Sequence, residues 1–195
     1  MQQKKIIALP PAKTSGSLSL EYALTERRSL RSYEEGPLNL AEISQILWAG
    51  QGISHPRGYR TAPSAGAIYP MSLYIFLEDG IYRYEPKAHA MERLDEEDRR
   101  RELAAAALGQ SSISSAPMVV VIVADVQKSA AKYQERAVRY CDMEAGHIGQ
   151  NIALQAEVMG LGVVTIGAYD DKAVGKILDL PSKMRVCYVI PVGRR

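Results

Sequence analysis

The sequence predicts an α+β domain, a sheet packed by helices, and three observations carry that expectation. Residues 134–159 place apolar side chains at helical spacing and run into a β-branched stretch, Val163-Val164-Thr165-Ile166. Two apolar runs, 71–77 and 81–84, flank Glu78-Asp79-Gly80 as the arms of a hairpin flank an Asp-Gly turn. Residues 119–124 and 185–192 are two further apolar strands, the first central. With 195 residues the chain suits one domain spanning its whole length.

In chain order, residues 4–16 contain Pro10-Pro11 and no period, and read as an extended arm lying on a neighbour. Leu18, Tyr22 and Leu24 begin a helix capped by Ser17 or Ser19, with Glu21 in its first turn and its end near Arg28. Asn39 and Glu42 form a capping-box start for a helix over 40–49, whose buried face is Ile43, Ile46 and Leu47. Residues 50–70 have little periodicity and are punctuated by Gly52, Pro56, Gly58, Pro63, Gly66 and Pro70. So long a loop is uncommon unless it serves a site. Residues 94–108 read as helix, with the charged block 95–101 as its solvated face.

The long helix shows a stripe, Val138, Cys141, Ala145, Ile148, Ile152, Ala156 and Met159, facing a core for about seven turns. Ala145, Gly149 and Ala153, four apart, form a small-residue ridge that predicts a closely packed helix partner, from this chain or a second copy. Gly160 and Gly162 end the helix, and Gly167 ends the strand that follows. A short helix over 172–178 and the strand over 185–192 complete the order.

Composition narrows the function. A hydrophobic content of 47% with 24% charged residues is that of an ordinary globule, and no apolar run approaches the ~20 residues of a membrane span. The first ten residues lack the apolar region of a secretory signal, so a cytoplasmic location is expected. Cys141 and Cys187, both in apolar segments, read as reduced, packed thiols. A net charge of +2 with interleaved bases and acids offers no case for nucleic acid. His55, His89 and His147 are isolated, which argues against a metal site. There is no Gly-x-Ser-x-Gly elbow and no phosphate-cradling Gly-x-x-x-x-Gly-Lys-Ser/Thr loop. Gly160-x-Gly162 follows a helix instead of preceding one, against a dinucleotide fingerprint.

What remains is a basic cluster and two backbone-rich stretches. Arg27 and Arg28 sit at a helix end and, if 29–33 is extended, Ser29, Arg31 and Tyr33 point to one side, a grouping able to hold a phosphate and nearby hydroxyls. Attraction of arginines to the helix dipole explains the same cluster equally well. Residues 62–70, Ala-Pro-Ser-Ala-Gly-Ala-Ile-Tyr-Pro, carry no bulky apolar side chain before Ile68 and Tyr69 and could press backbone against a flat ring. Gly167 offers an unobstructed amide, or is a plain strand end.

Together these stretches resemble the nitroreductase family of flavin-mononucleotide-dependent oxidoreductases. The resemblance runs from Leu18 to Val192 through Arg27-Arg28-Ser29-Leu30-Arg31-Ser32-Tyr33, Pro63-Ser64-Ala65-Gly66-Ala67-Ile68-Tyr69-Pro70, Gly109-Gln110 ahead of Ala116-Pro117, Gly160-Leu161-Gly162 through Ile166-Gly167-Ala168-Tyr169, and Pro191-Val192-Gly193. Ala67 and Tyr69 stand where commoner members have Asn and Gln, a form similar to the SagB-type subgroup, which includes dehydrogenases that oxidise peptide azolines to azoles.

The resemblance implies a nitroreductase-like fold, a central mostly antiparallel sheet flanked by helices, with the long helix at a homodimer interface and FMN bound where two copies meet. Arg27, Ser29 and Arg31, with Arg28 nearby, match positions that hold the flavin phosphate and ribityl chain and reach the N1/O2 edge. Gln110 matches the side chain on the pyrimidine edge, and Ile166-Gly167 the residues whose amide faces flavin N5. Pro63, Ser64, Ala65 and Gly66 match the segment supplied by the other subunit, and Tyr69 is a further candidate for contact with the cofactor. Many members continue past the position of Arg195 in an arm bearing basic phosphate ligands, for which Arg194 or Arg195 is the candidate stand-in. The activity implied is ping-pong hydride transfer from NADH or NADPH to an electron-poor acceptor, with no catalytic side chain. The alternatives are a SagB-type azoline dehydrogenase and a flavin-binding regulatory protein without turnover.

Overall fold

The computed structural model describes residues 5–195, so Lys4, the first residue of the expected arm, lies outside it. Among the described residues seven strands form one sheet, and every paired neighbour is antiparallel. They are β1 (Ile6–Ala8), β2 (Met71–Leu77), β3 (Gly80–Glu85), β4 (Ala90–Asp95), β5 (Met118–Asp125), β6 (Leu161–Val163) and β7 (Met184–Arg194), in the spatial order β1-β4-β3-β2-β5-β7-β6. The helices are α1 (Leu20–Glu26), α2 (Leu40–Gln51), α3 (Arg100–Ala106), α4 (Ser111–Ser115), α5 (Val126–Tyr133), α6 (Ala137–Val158) and α7 (Asp171–Ile177).

β5 explains the layering. Val120 and Ile122 face a core shared with Ile46 and Leu47 of α2 and Ile148 and Ile152 of α6. Val119, Val121 and Val123 face a second core with Leu103, Ile113 and Val174 of α3, α4 and α7. A strand covered on both faces can be apolar at every position, and this one is. Local signals elsewhere form as expected. Ser19 caps α1, Asn39 and Glu42 close a reciprocal capping box on α2, and Gly80 adopts φ +140° at the β2–β3 turn.

Four expectations need correction. The 4–16 arm is extended but lies on its own domain: β1 covers the edge of β4, and the Lys13 amide donates to Gln45 Oε1. Residues 94–95 belong to β4, not to a helix, and the block 95–101 is tied down by Arg99–Asp95, Arg99–Glu102 and Arg100–Asp98 pairs. β4 was obscured because its buried Glu92 is satisfied by Arg83 directly across the β3–β4 ladder, 2.7 Å away. At the centre of the Ala145-Gly149-Ala153 ridge, Gly149 faces the sheet side of its own chain. A methyl on Gly149 would lie 3.5 Å from Thr165 Cγ2 and 3.7 Å from Ile190 Cδ1, so a bulky residue there would disturb folding itself. The close helix approach comes from Gly50 of α2, against Ile148 and Ile152.

The fourth concerns the strand after α6. β6 stops at Val163, and Ile166 then bridges Val189 alone. Extending the register places Val164 opposite Pro191, whose missing N–H removes the ladder bond due at that step. The break leaves Thr165 and Gly167 exposed at the sheet margin.

Both cysteines are free; Cys141 is buried and Cys187 half-buried. Burial pushes the Cys187 thiol up to about 11. A thiol with a raised pKa stays protonated and unreactive until pH approaches that value. Native protein at pH 8 is expected to resist iodoacetamide at both positions and to be alkylated at both after unfolding, read by intact mass. Rapid native labelling at pH 8 would contradict this burial.

Candidate functional site

Beyond α1 the chain turns along the sheet margin. The Arg27 amide closes α1 on Ala23 O, and the Arg28 guanidinium folds back onto Thr25 O and Arg27 O, at 2.7 and 2.9 Å. Arg28 is therefore a helix-end cap, as the dipole argument anticipates. The Leu30 amide donates to Val163 O at 2.9 Å and the Glu34 amide to Arg194 O at 3.1 Å, so 29–34 lies beside β6 and the end of β7.

Leu30 and Tyr33 pack inward over Gly162 and Gly193, where a Cβ would come within 2.9 and 2.5 Å of them. The Tyr33 hydroxyl donates to Leu30 O, and burial raises its pKa well above the usual range. Tyr33 thus departs from the side it was expected to share with Ser29 and Arg31, which are exposed. Arg27, half-buried, and Arg31, exposed, make no hydrogen bond or ion pair with the described residues, so two unpaired cations flank Ser29 along the chain.

Gln110 and Gly167 join the same margin. Leu108 and Gly109 take φ +60° and +72°, which turns the chain into α4, and Gln110 Nε2 donates to Ala107 O at 3.0 Å and Ala168 O at 3.2 Å. Its Oε1 has no partner among the described residues. The Gly167 amide makes no hydrogen bond there either, and space is open around its Cα. The four residues from Val163, which Leu30 grips, to Gly167 span at most about 14 Å. One strip therefore carries two cations, a hydroxyl, a free amide beside Ile166 and a free carbonyl acceptor.

The 60–70 loop is built elsewhere. Asn151 Nδ2 donates to Thr61 O at 3.2 Å, His147 Nδ1 lies 3.4 Å from Pro63 O, and Lys128 Nζ donates to Tyr69 O at 2.9 Å. Ser64 Oγ accepts from the Tyr69 amide across a 3-10 turn in which Gly66, Ala67 and Tyr69 all have positive φ, near +60°, +53° and +51°. Such a backbone is strained at Ala67 and Tyr69 and needs the surrounding contacts to persist. The Tyr69 ring, expected among the ligand contacts, is turned under the Arg60 guanidinium at 4.7 Å, and its hydroxyl accepts from the Arg60 amide. Pro63 and Gly66 are exposed, Ser64 and Ala65 half-buried, and the Tyr133 hydroxyl and Lys132 amine crowd Gly66.

No hydrogen bond or ion pair joins this loop to the 27–31, Gln110 and Gly167 strip among the described residues. Arg194 does not join either group: its fork holds Glu42 and Pro37 O, and Arg195 holds the buried Glu157. Glu144, also buried, was missed by the sequence reading; it faces Ser64, Gln51, Arg60 and His147, and burial holds its carboxyl above the ordinary range. Its place three and seven residues before His147 and Asn151 was the available signal. No helix among the described residues is long and apolar enough to cross a membrane, and they contain no cluster suited to a metal ion.

Residues 24–194 match the Nitroreductase family profile. The chain belongs to the nitroreductase family. A provisionally named nitroreductase of Methanocaldococcus jannaschii is 41% identical over 184 residues, 91% of this chain and 92% of its own. A crystal structure of a provisionally named nitroreductase from Ralstonia eutropha superposes with a TM-score of 0.88 at 29% identity, covering 97% of this chain and 89% of that one. The Escherichia coli microcin B17-processing protein McbC is 21% identical over 197 residues, 93% of this chain and 72% of its own. The nitroreductase-like fold is thus both observed and shared, and the family is generally flavin-dependent. The open strip suits such a group: unpaired guanidinia fit a phosphate, and an unpartnered carbonyl and amide fit the edge of a heteroaromatic ring.

Gly193→Ala is expected to lower stability by about 1–3 kcal/mol by driving a methyl into Tyr33 and lifting 29–34 off the sheet. Urea unfolding measures it, and a midpoint equal to wild type would contradict the packing described.

Proposed function

We propose that this chain is a cytoplasmic FMN-dependent oxidoreductase that works as a homodimer, taking hydride from NADH or NADPH and delivering it, in ping-pong order, to an electron-poor acceptor such as a nitroaromatic or quinone. The observation that carries the reading is the pair of unpaired guanidinia, Arg27 and Arg31, on the margin that also presents Gln110 and Gly167, in a chain of this family. Bound FMN would supply a ring that accepts and donates hydride.

The chain's own residues would bind and orient it. Arg27, Ser29 and Arg31 hold the phosphate and ribityl hydroxyls, and a cation near the ring favours its reduced, anionic form. Gln110 Oε1 is left to accept from the pyrimidine edge, since its amide nitrogen is spent on backbone. The Gly167 amide, beside Ile166, is free to donate to the ring. Arg28 and Arg194 drop out, being engaged with a helix end and with Glu42. No hydrogen bond or ion pair joins the 63–66 segment to the strip within one copy among the described residues, which leaves it free to serve the site of the second copy.

A SagB-type azoline dehydrogenase is the second reading. Oxidising an azoline requires a group to take the ring proton as hydride leaves, and the Lys132 amine and Tyr133 hydroxyl beside Gly66 are groups of that kind. A flavin-binding protein without turnover is the third.

Steady-state oxidation of NADPH with a nitroaromatic or quinone acceptor separates them. Turnover is expected in purified, FMN-loaded protein; flavin content without turnover would overturn the first reading in favour of the third. Arg31→Ala is expected to weaken FMN retention by about 10- to 100-fold, the scale of a charge-assisted hydrogen bond, and to lower the flavin potential. Flavin fluorescence after dilution measures retention, and unchanged retention and potential would remove Arg31 from its role.

A further inference from the structure

Glu144 is a carboxylic acid only 2% exposed, and its setting is incomplete. It lies on the flank of α6 that also presents His147 and Asn151, the two side chains that reach Pro63 O and Thr61 O. From the loop, Arg60 and Ser64 face it; from α2, Gln51; from α6 itself, His147 and Cys141; burial disfavours the charged carboxyl and outweighs Ser64, Gln51, Arg60 and His147, which favour it. Tyr69 and Tyr84 face Arg60 in turn. None of these forms an ion pair with it. The Arg60 guanidinium bonds Gln51 Oε1 and rests on the Tyr69 ring, while Glu144 Oε1 and Gln51 Nε2 are buried without a hydrogen-bond partner among the described residues. A buried carboxylate with an orphaned oxygen is costly, whereas a protonated carboxyl is much less so.

The loop is what covers this group. Arg60 and Ser64 belong to the same strained segment whose backbone Asn151 and His147 hold, so lifting the loop admits water to the carboxyl. We propose that Glu144 is a positioning residue that sets how firmly the 60–69 loop is held, the protonated carboxyl closing the loop and the ionised one loosening it. The sign follows from linkage. Burial raises the Glu144 pKa above its ordinary value, so the hold is complete below the ordinary glutamate range and is lost as pH rises through the raised value. This inference rests on the flavin reading only for its consequence: if the loop covers a flavin of the second subunit, Glu144 governs how tightly that flavin is kept.

The test is amide hydrogen exchange of residues 60–69 in the full-length protein from pH 5 to 8, corrected for intrinsic exchange. Wild-type protection is expected to fall as pH rises. Glu144→Gln, neutral at every pH, should exchange about tenfold more slowly at pH 8 and show no slope, the scale of one unsatisfied buried acceptor. Asn151→Ala should exchange faster at every pH with the slope kept, and His147→Asn should also keep the slope, since that side chain meets the loop separately. A flat wild-type profile would overturn the proposal even if Glu144→Gln fails to fold. So would a slope that survives in Glu144→Gln or disappears in His147→Asn. Release of FMN, followed by fluorescence, should slow in Glu144→Gln in parallel. Protein that takes up no FMN sinks the flavin reading while leaving the exchange result to decide the role of Glu144.

Discussion

The structure depends on α6 meeting different partners on two flanks. On one, Gly149 lets the helix settle onto Thr165, Tyr188 and Ile190 of the sheet side. On the other, nearly half a turn away at 100° per residue, Glu144, His147 and Asn151 hold the 60–69 loop. The loop contact depends on the sheet contact, because the helix position set by the sheet fixes where its polar side chains can reach. Cores of this density do not allow a helix to slide by small amounts.

The margin of the sheet is shaped by one missing donor. Pro191 interrupts the β6–β7 ladder opposite Val164, which ends β6 early and leaves the segment up to Gly167 open to solvent. Leu30 and Tyr33 then anchor 29–34 against the same two strands, over glycines that allow their close approach. Arg27 and Arg31 thereby flank a segment paired with Val163, four residues before the Gly167 amide that is left without a partner among the described residues. On the proposed reading that juxtaposition is the cofactor site, and the 63–66 segment, which makes no hydrogen bond or ion pair with it within one copy, completes the site of a second copy.

Elements specified locally were legible in the sequence. The Asn39–Glu42 capping box, the Asp79-Gly80 hairpin, the two-faced β5 and the apolar core of α6 each depend on neighbours a few residues away. Elements specified by distant partners were not. β4 hides a buried glutamate that pairs with Arg83 across the ladder, and the break in β6 depends on a proline 27 residues further along the chain than Val164. In the site, the basic cluster and Gln110 were identifiable as residues, but not which of them stay free. Arg28 caps a helix, Arg194 pairs with Glu42, and the Tyr69 ring stacks under Arg60, all outcomes of three-dimensional competition that motif matching does not weigh. Glu144 escaped notice because a lone acid in a helix ordinarily faces water.

The central claim is that FMN is bound where two copies meet. Sedimentation velocity of the FMN-loaded protein, recorded together at the protein and flavin absorbance bands, tests it most directly. The account predicts that flavin absorbance travels with a dimer at one flavin per chain. Flavin carried by a monomer, or a dimer that sediments colourless in the presence of FMN, would contradict it.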